Sequence, residues 1–367
     1  SVASLMALLA APAQLEQTVP KNHPFMSRRL PAEERITNLI SLMNLKEKLG
    51  CLGRADLTRL GVRWVPSVEG LHGLAQDGPA NWLPKKRVPT TIFPQSYGLG
   101  ATWDPGLIEE VGRIEGYECR WIWQNKELKQ GAILAFTPNA DLGRDPRWGR
   151  TEECFGEDPC LVGELSAAFV RGIQSEKKGY WQCASLMKHF LANSNEDTRE
   201  TSSSNFDARQ LREYYSVGFR RGFEAGSRAY MTAYNAYNGI PCTIHPFIKN
   251  VTVKDWGMDG IVCTDGGAYR LLMTAHKHTD DPGVAAADCI KAGITRFLDD
   301  YMKGVESALE RGLITEADLE EPIRKNLRVQ LKLGALDGPK TSDPYAKIGE
   351  GDAPWLSDSH KAAALLA

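Results

Sequence analysis

Carboxylates, arginines and a lysine–histidine pair recur in this sequence beside glycines, at the ends of short apolar runs. Asp265 follows Ile261, Val262, Cys263 and Thr264 and precedes Gly266 and Gly267. An acid with so little bulk beside it is free either to approach a substrate carbon or to cap the helix that follows. Lys188 and His189 lie in ASLMKHF, and Met231 and Tyr234 lie along RAYMTAYN. Glu69 and His72 stand in VEGLHG, Asp77 stands in QDGP, and GRDPRWGR packs Arg144, Asp145, Arg147, Trp148 and Arg150 into one loop. Charged groups beside tryptophan and tyrosine suit a sugar pocket, because hydroxyls take charged hydrogen-bond partners while the C–H faces of the ring take aromatic surface. Each group also has a plainer use: a surface Asp–Arg pair, a basic dipeptide satisfied by backbone oxygens, a helix cap.

The elements that must position these groups alternate between strand and helix from about residue 62 to residue 337. GAILAFTPN (131–139), ASLMKHF (184–190), RAYMTAYN (228–235) and GIVCTDGG (260–267) read as strands. After Asp158, a good N-cap, Pro159 fits the first helical position, and Leu161, Leu165, Ala168 and Phe169 share one face. Asp207 and Gly226 bracket a second helix, and Gly334 closes a third that starts near Thr315. Alternation of this kind implies parallel strands. The polar groups fall at the strands' C-terminal ends, where barrel enzymes carry their sites. A (β/α)8, TIM-like barrel is therefore expected. An open doubly wound sheet is the lesser reading, because no G-x-G-x-x-G fingerprint follows an early strand.

Bulk properties narrow the function. The 367 residues are 42% hydrophobic and 25% charged with a formal net charge of -2, so nothing argues electrostatically for nucleic acid or a membrane surface. No run of about 18 apolar residues is present to form a membrane span. The eight cysteines include no CxxC pair, and Cys154 and Cys160 read either as a bridge or as free thiols. Residues 1–25 read as an N-terminal arm or as the remnant of a secretory leader ending at Ala11-Pro12-Ala13, which makes secreted or periplasmic the expected location and cytoplasmic the alternative. Residues 26–337 form the expected barrel and 338–356 a Gly/Pro/Asp-rich linker. Residues 357–367, capped by Ser357 or Asp358, read as a helix that either docks back on the barrel or begins a second domain.

Six ordered stretches resemble glycoside hydrolase family 3, the β-glucosidases, β-xylosidases and related exo-acting enzymes. They are GLHG, TIFPQSYGLGATWD, GRDPRWGRTEECFGEDP, KHFLANSNEDTR, MTAYNAYNGIPC and CTDGGA, closed by NLRVQLKLGALD. The resemblance implies that Asp265 is the nucleophile of a retaining β-glycosidase. It assigns Lys188, His189 and Arg150 to sugar binding, Glu69 to the distal hydroxyls, and Met231 and Tyr234 to the pocket wall, with Asp77 a weaker counterpart. It implies no cofactor and no metal, since a carboxylate and an acid about 5–5.5 Å apart suffice. The expected substrate is a β-linked oligosaccharide or aryl glycoside, with β-glucosidase ahead of β-xylosidase.

Two departures matter. Many members place tryptophan directly after the nucleophile, where this sequence has Gly266, and many glucosidases place aspartate where it has Glu69. The acid/base of two-domain members is a glutamate on a C-terminal α/β sandwich domain, the expected partner of this barrel. A single-domain branch uses a histidine after KHFPG, but here LANSNEDTR follows KHF, and His276 and His278 read as exposed loop residues. Two rivals remain. One is a carbohydrate-binding barrel with little turnover; the other is an aldolase-type barrel in which Lys188 forms a Schiff base.

Overall fold

Short buried strands and longer amphipathic helices alternate through the computed structural model, which describes residues 23–75, 88–128, 130–337 and 343–367. The leader-like N-terminus, Asp77 and the start of the linker lie outside the described residues. The strands are β1 (Ser67–Gly70), β2 (Leu74–Ala75), β3 (Leu134–Phe136), β4 (Ala184–Ser185), β5 (Met187–Phe190), β6 (Ser203–Ser204), β7 (Ala229–Thr232), β8 (Ala236–Tyr237), β9 (Ile240–Pro241) and β10 (Ile261–Cys263). The helices are α1 (Ala32–Leu42), α2 (Leu45–Gly50), α3 (Ser96–Gly100), α4 (Pro105–Gln124), α5 (Pro159–Gln174), α6 (Ala208–Gln210), α7 (Val217–Glu224), α8 (Ala268–Thr274), α9 (Pro282–Ala292), α10 (Met302–Glu310), α11 (Glu320–Lys332) and α12 (Asp358–Leu366).

Local chemistry sets the helix ends. Asp158 Oδ1 accepts from Leu161 N at 2.8 Å with Pro159 in the first turn, as the sequence predicts. Asp207 Oδ1 accepts from Gln210 N at 2.8 Å, and Gly226 and Gly334 adopt φ of 112° and 77° beyond their helices. The helix expected after Asp207 is broken: α6 runs into a wider turn at Leu211–Tyr215 before α7 resumes.

β1, β3 and β4 pair in parallel, as do β5, β7 and β10, each beside the next in chain order. That succession is the winding expected of a barrel. The expected closure is not seen: among the described residues the strands form separate ladders, not one closed ring. One break falls at Leu186, where Ala184–Ser185 pair with β3 while Met187–Phe190 turn to β7. The other lies between β10 and β1. Arg296 bridges to Cys263, but side chains span the remaining distance: Arg296 Nη2 donates to Val65 O at 3.3 Å, and Gln330 Oε1 accepts from Val65 N at 3.1 Å. Those groups are satisfied without a further ladder.

Every residue of β5, β7 and β10 is buried, as parallel strands covered on both faces require. Ala229, Met231, Ile261 and Cys263 pack with Leu134 in one core, while Tyr230 and Val262 pack with Phe190 and the outer helices in another. The C-terminal segment docks back on α4. Trp355 meets Trp121 edge-on at 5.2 Å, Gln124 Nε2 donates to Tyr345 O at 2.9 Å, and His360 Nδ1 lies 2.7 Å from Glu118 Oε1. No helix among the described residues is long and apolar enough to cross a membrane.

Candidate active site

Asp265 lies two residues beyond β10. It does not cap α8. Asp299 does so instead, its carboxylate accepting from Gly267 N and, at 2.9 Å, from Arg270 N. Asp265 is thereby left for other work. Its Oδ1 accepts from the neighbouring Gly266 N at 2.7 Å, while its Oδ2 is buried with no hydrogen-bond partner among the described residues. A buried carboxylate oxygen left open is costly and calls for an explanation. Burial pushes the carboxyl up to about 6, against the opposing pull of Arg150, the Gly266 amide, Lys188 and the Tyr234 hydroxyl. Burial outweighs these cations, yet the group is still mainly ionised at pH 7.

Beside Asp265, His189 is held in one orientation. Asp141 Oδ2 accepts from both His189 N (3.1 Å) and His189 Nδ1 (3.0 Å). With the ring proton on Nδ1, Nε2 carries a lone pair, and Arg150 Nη2 donates to it at 3.0 Å. Nε2 lies 3.7 Å from Asp265 Oδ2. Burial, with Arg150 and Lys188 nearby, pushes the imidazole well below its ordinary pKa and keeps it neutral. A neutral ring whose free nitrogen accepts from a guanidinium has no proton to give a leaving group.

Arg150 reaches this position from the RDPRWGR loop. Glu153, three residues on, takes Nε and Nη2 at 2.7 and 2.8 Å in a fork, and Asn139 Nδ2 donates to the same carboxylate at 3.2 Å. Lys188 is 3% exposed and its ammonium forms an ion pair with Glu69 on β1. A Schiff-base lysine would have to give up that contact. Tyr234 closes another side, its hydroxyl donating to Gly266 O at 2.7 Å, with Arg199 stacked over its ring at 4.7 Å.

The structure therefore gathers Asp265, His189, Arg150, Lys188, Glu69 and Tyr234 at the C-terminal ends of the parallel strands. Met231 is 3% exposed and packs in the core on β7, and Asp77 lies outside the described residues. The rest of the arginine loop divides: Arg147 pairs with Asp145 at the surface, Arg144 donates to Tyr215 Oη at 2.7 Å, and Trp148 Nε1 donates to Glu196 at 3.0 Å. His278 is exposed and pairs with Asp288, whereas His276, read as exposed, is half-buried with Nε2 2.8 Å from Tyr234 O. Cys160 is exposed and Cys154 buried, and the two do not bridge. The close thiols are Cys119 and Cys183, 3.5 Å apart on α4 and just before β4. Sequence reading missed Asp141, Glu153 and Asp299. Glu153 alone left a trace, a carboxylate one helical turn after Arg150.

Residues 52–329 match the Glycosyl hydrolase family 3 N terminal domain. The chain is 30% identical over 379 residues to the probable beta-D-xylosidase 6 of Arabidopsis thaliana, covering 94% of this chain and 47% of the relative. It is 31% identical over 265 residues to the periplasmic beta-glucosidase of Salmonella typhimurium, covering 69% of this chain and 34% of that one. Among solved structures, an exo-beta-xylosidase bound to a xylobiose aziridine probe superposes with a TM-score of 0.81 at 25% identity, over 93% of this chain and 45% of the other. A beta-glucosidase from Listeria innocua bound to isofagomine gives 0.76 at 25% identity, over 90% of this chain and 50% of the other. The chain thus spans about half the length, or less, of these relatives. With the profile matched across most of its length, the chain belongs to glycosyl hydrolase family 3 and carries that family's N-terminal domain.

Proposed function

We propose that this chain carries the nucleophile of a retaining exo-β-glycosidase and that its parallel strands belong to a (β/α)8-type barrel. The observation that carries the reading is the Asp265 carboxylate: buried, with Oδ2 accepting no hydrogen bond within bonding distance among the described residues, ionised at neutral pH, and beside Arg150, Lys188, His189 and Tyr234. In the first step Asp265 Oδ2 attacks the anomeric carbon, the glycosidic oxygen departs with its bonding pair and takes a proton, and a glycosyl-aspartate forms. Water then attacks the same carbon and gives a proton to the acid deprotonated in the first step, while the bond to Asp265 breaks and the carboxylate returns. Glu69, Lys188 and Arg150 hold ring hydroxyls throughout through charge-assisted hydrogen bonds.

The proton donor is proposed to be a glutamate of a C-terminal α/β sandwich domain. What supports this is the engagement of two nearby carboxylates: Glu69 pairs with Lys188 and Glu153 with Arg150. The sugar is glucose or xylose. Glu69, one methylene longer than aspartate, narrows the pocket and favours the smaller pentose, and relatives named as β-D-xylosidases support the same choice.

Intact-mass analysis with 2,4-dinitrophenyl β-xyloside and β-glucoside tests both points, because that leaving group departs without an acid. Accumulation of an adduct mapped to Asp265, absent in Asp265→Asn, is the expected result. Binding without any adduct would replace this reading with that of a carbohydrate-binding barrel.

A further inference from the structure

Outside the ring of groups around Asp265, α4 carries two carboxylates that the mechanism does not use. Glu115 and Glu118 are one helical turn apart, and each is 1% exposed. Both face the chain that leaves β1 immediately after Glu69. Glu115 Oε2 accepts from Gly73 N at 3.2 Å. Its Oε1 is buried without a hydrogen-bond partner among the described residues and lies against Gly70, where an added Cβ would come within 2.2 Å of it. Glu118 takes the far end of the same excursion: Thr91 N donates to it at 2.8 Å and Thr91 Oγ1 at 2.5 Å. The two ends also meet directly, Phe93 N donating to His72 O at 2.8 Å while His72 Nδ1 lies 3.0 Å from Phe93 O.

The glycines of GLHG follow from this arrangement. Gly70 admits the carboxylate. Gly73 has φ of 132°, and a Cβ there would stand 2.6 Å from Thr91 O. The C-terminal helix α12 completes the cluster, since His360 Nδ1 reaches Glu118 Oε1 at 2.7 Å from a side chain that is itself 9% exposed.

We infer that Glu115 and Glu118 form a clip that fixes both ends of the segment following β1 and thereby sets where Glu69 stands against Lys188, with His360 of α12 holding the clip from behind. These are positioning residues, which touch no sugar. The inference rests on the proposed sugar-binding role of Glu69. Burying two acids beneath one strand end serves no packing purpose that leucine would not serve better, because desolvated carboxylates destabilise a fold unless they hold something. Burial pushes Glu115 up to about 8, so glutamine is a close mimic of its dominant form at neutral pH.

The test compares Glu115→Ala with Glu115→Gln in the full chain by two readouts. The first is amide hydrogen exchange in peptides covering residues 70–75. The second is the concentration dependence of labelling by 2,4-dinitrophenyl β-xyloside. Loss of the hydrogen bond to Gly73 in Glu115→Ala is expected to speed exchange there about tenfold and raise the half-saturating concentration about tenfold, with the maximal labelling rate held within about threefold. Glu115→Gln, which keeps an acceptor oxygen, is expected to restore both. Unchanged exchange at Gly73 in Glu115→Ala would overturn the clip, and so would faster exchange with unchanged half-saturation. Equal loss in both variants would mark a merely structural role and overturn it as well. If the unsubstituted chain is not labelled at all, the glycosidase reading fails, and the exchange data still decide whether the clip exists.

Discussion

Removing the charge of Arg150 has a consequence that can be worked from distances. Arg150 Nη2 lies 3.0 Å from His189 Nε2, which lies 3.7 Å from Asp265 Oδ2, so guanidinium and carboxylate are less than about 7 Å apart. At an effective dielectric near 20, unit charges at that distance attract by roughly 2.4 kcal/mol, or just under two pKa units. Glu153 shares the guanidinium, which reduces the effect on Asp265 in the native site. Arg150→Gln also leaves Glu153 without its fork, and its charge then opposes ionisation of Asp265. The net expectation is that the Asp265 carboxyl rises from about 6 by between about one and two units. Attack requires the ionised form, so labelling by the dinitrophenyl glycoside is lost as pH falls through that value. The acid limb should therefore move to higher pH in Arg150→Gln, and far less in Arg150→Lys, which keeps the charge but not the fork. Labelling rates from pH 4 to 9, followed by intact mass, measure the limb. An unmoved limb, or one displaced toward acid, would refute the electrostatic account of the site.

Two further outcomes are expected. Glu69→Asp, which returns a methylene of space beside Lys188, should shift the ratio of glucoside to xyloside labelling about tenfold toward glucoside, read by competition between the two reagents. Among the eight cysteines, Cys160 alone should react with iodoacetamide in the native chain, with the buried seven, Cys119 and Cys183 included, becoming reactive only on unfolding; peptide mapping after alkylation checks this.

Strand ends and helix caps were legible because they depend on near neighbours. The Asp158–Pro159 start, the Asp207 cap and the Gly226 and Gly334 exits need only a few residues of context, and the alternation of elements implied parallel strands. Asp265, Lys188 and His189 were legible as strand-end polar groups. Their partners were not. Asp141 stands 48 residues from His189, and Asp299 lies 32 residues from the amide of Gly267 that it caps. A lone aspartate in sequence says nothing about which distant N–H it will meet. The RDPRWGR loop shows the same limit: its arginines look alike on paper, yet Arg147 stays at the surface while Arg150 turns inward to Glu153. Closure of the ring was not legible for a related reason. Periodicity predicts strands, but whether two edges join by ladder or by the side chains of Arg296 and Gln330 is settled only in three dimensions.

The division of labour between Asp265 and Asp299 carries a thermodynamic consequence. Asp299 supplies the helix cap, so the fold owes Asp265 almost nothing and bears its desolvation. An aspartate whose folded pKa is about 6 rather than 3.8 is most favourable to folding when protonated; stability declines as pH rises between those values, and at pH 7 the deficit is about 3 kcal/mol. If Asp265 is the proposed nucleophile, robustness and turnover pull this position in opposite directions. A lineage relieved of catalysis would be expected to replace Asp265 early, with asparagine or serine, while Asp299 persisted.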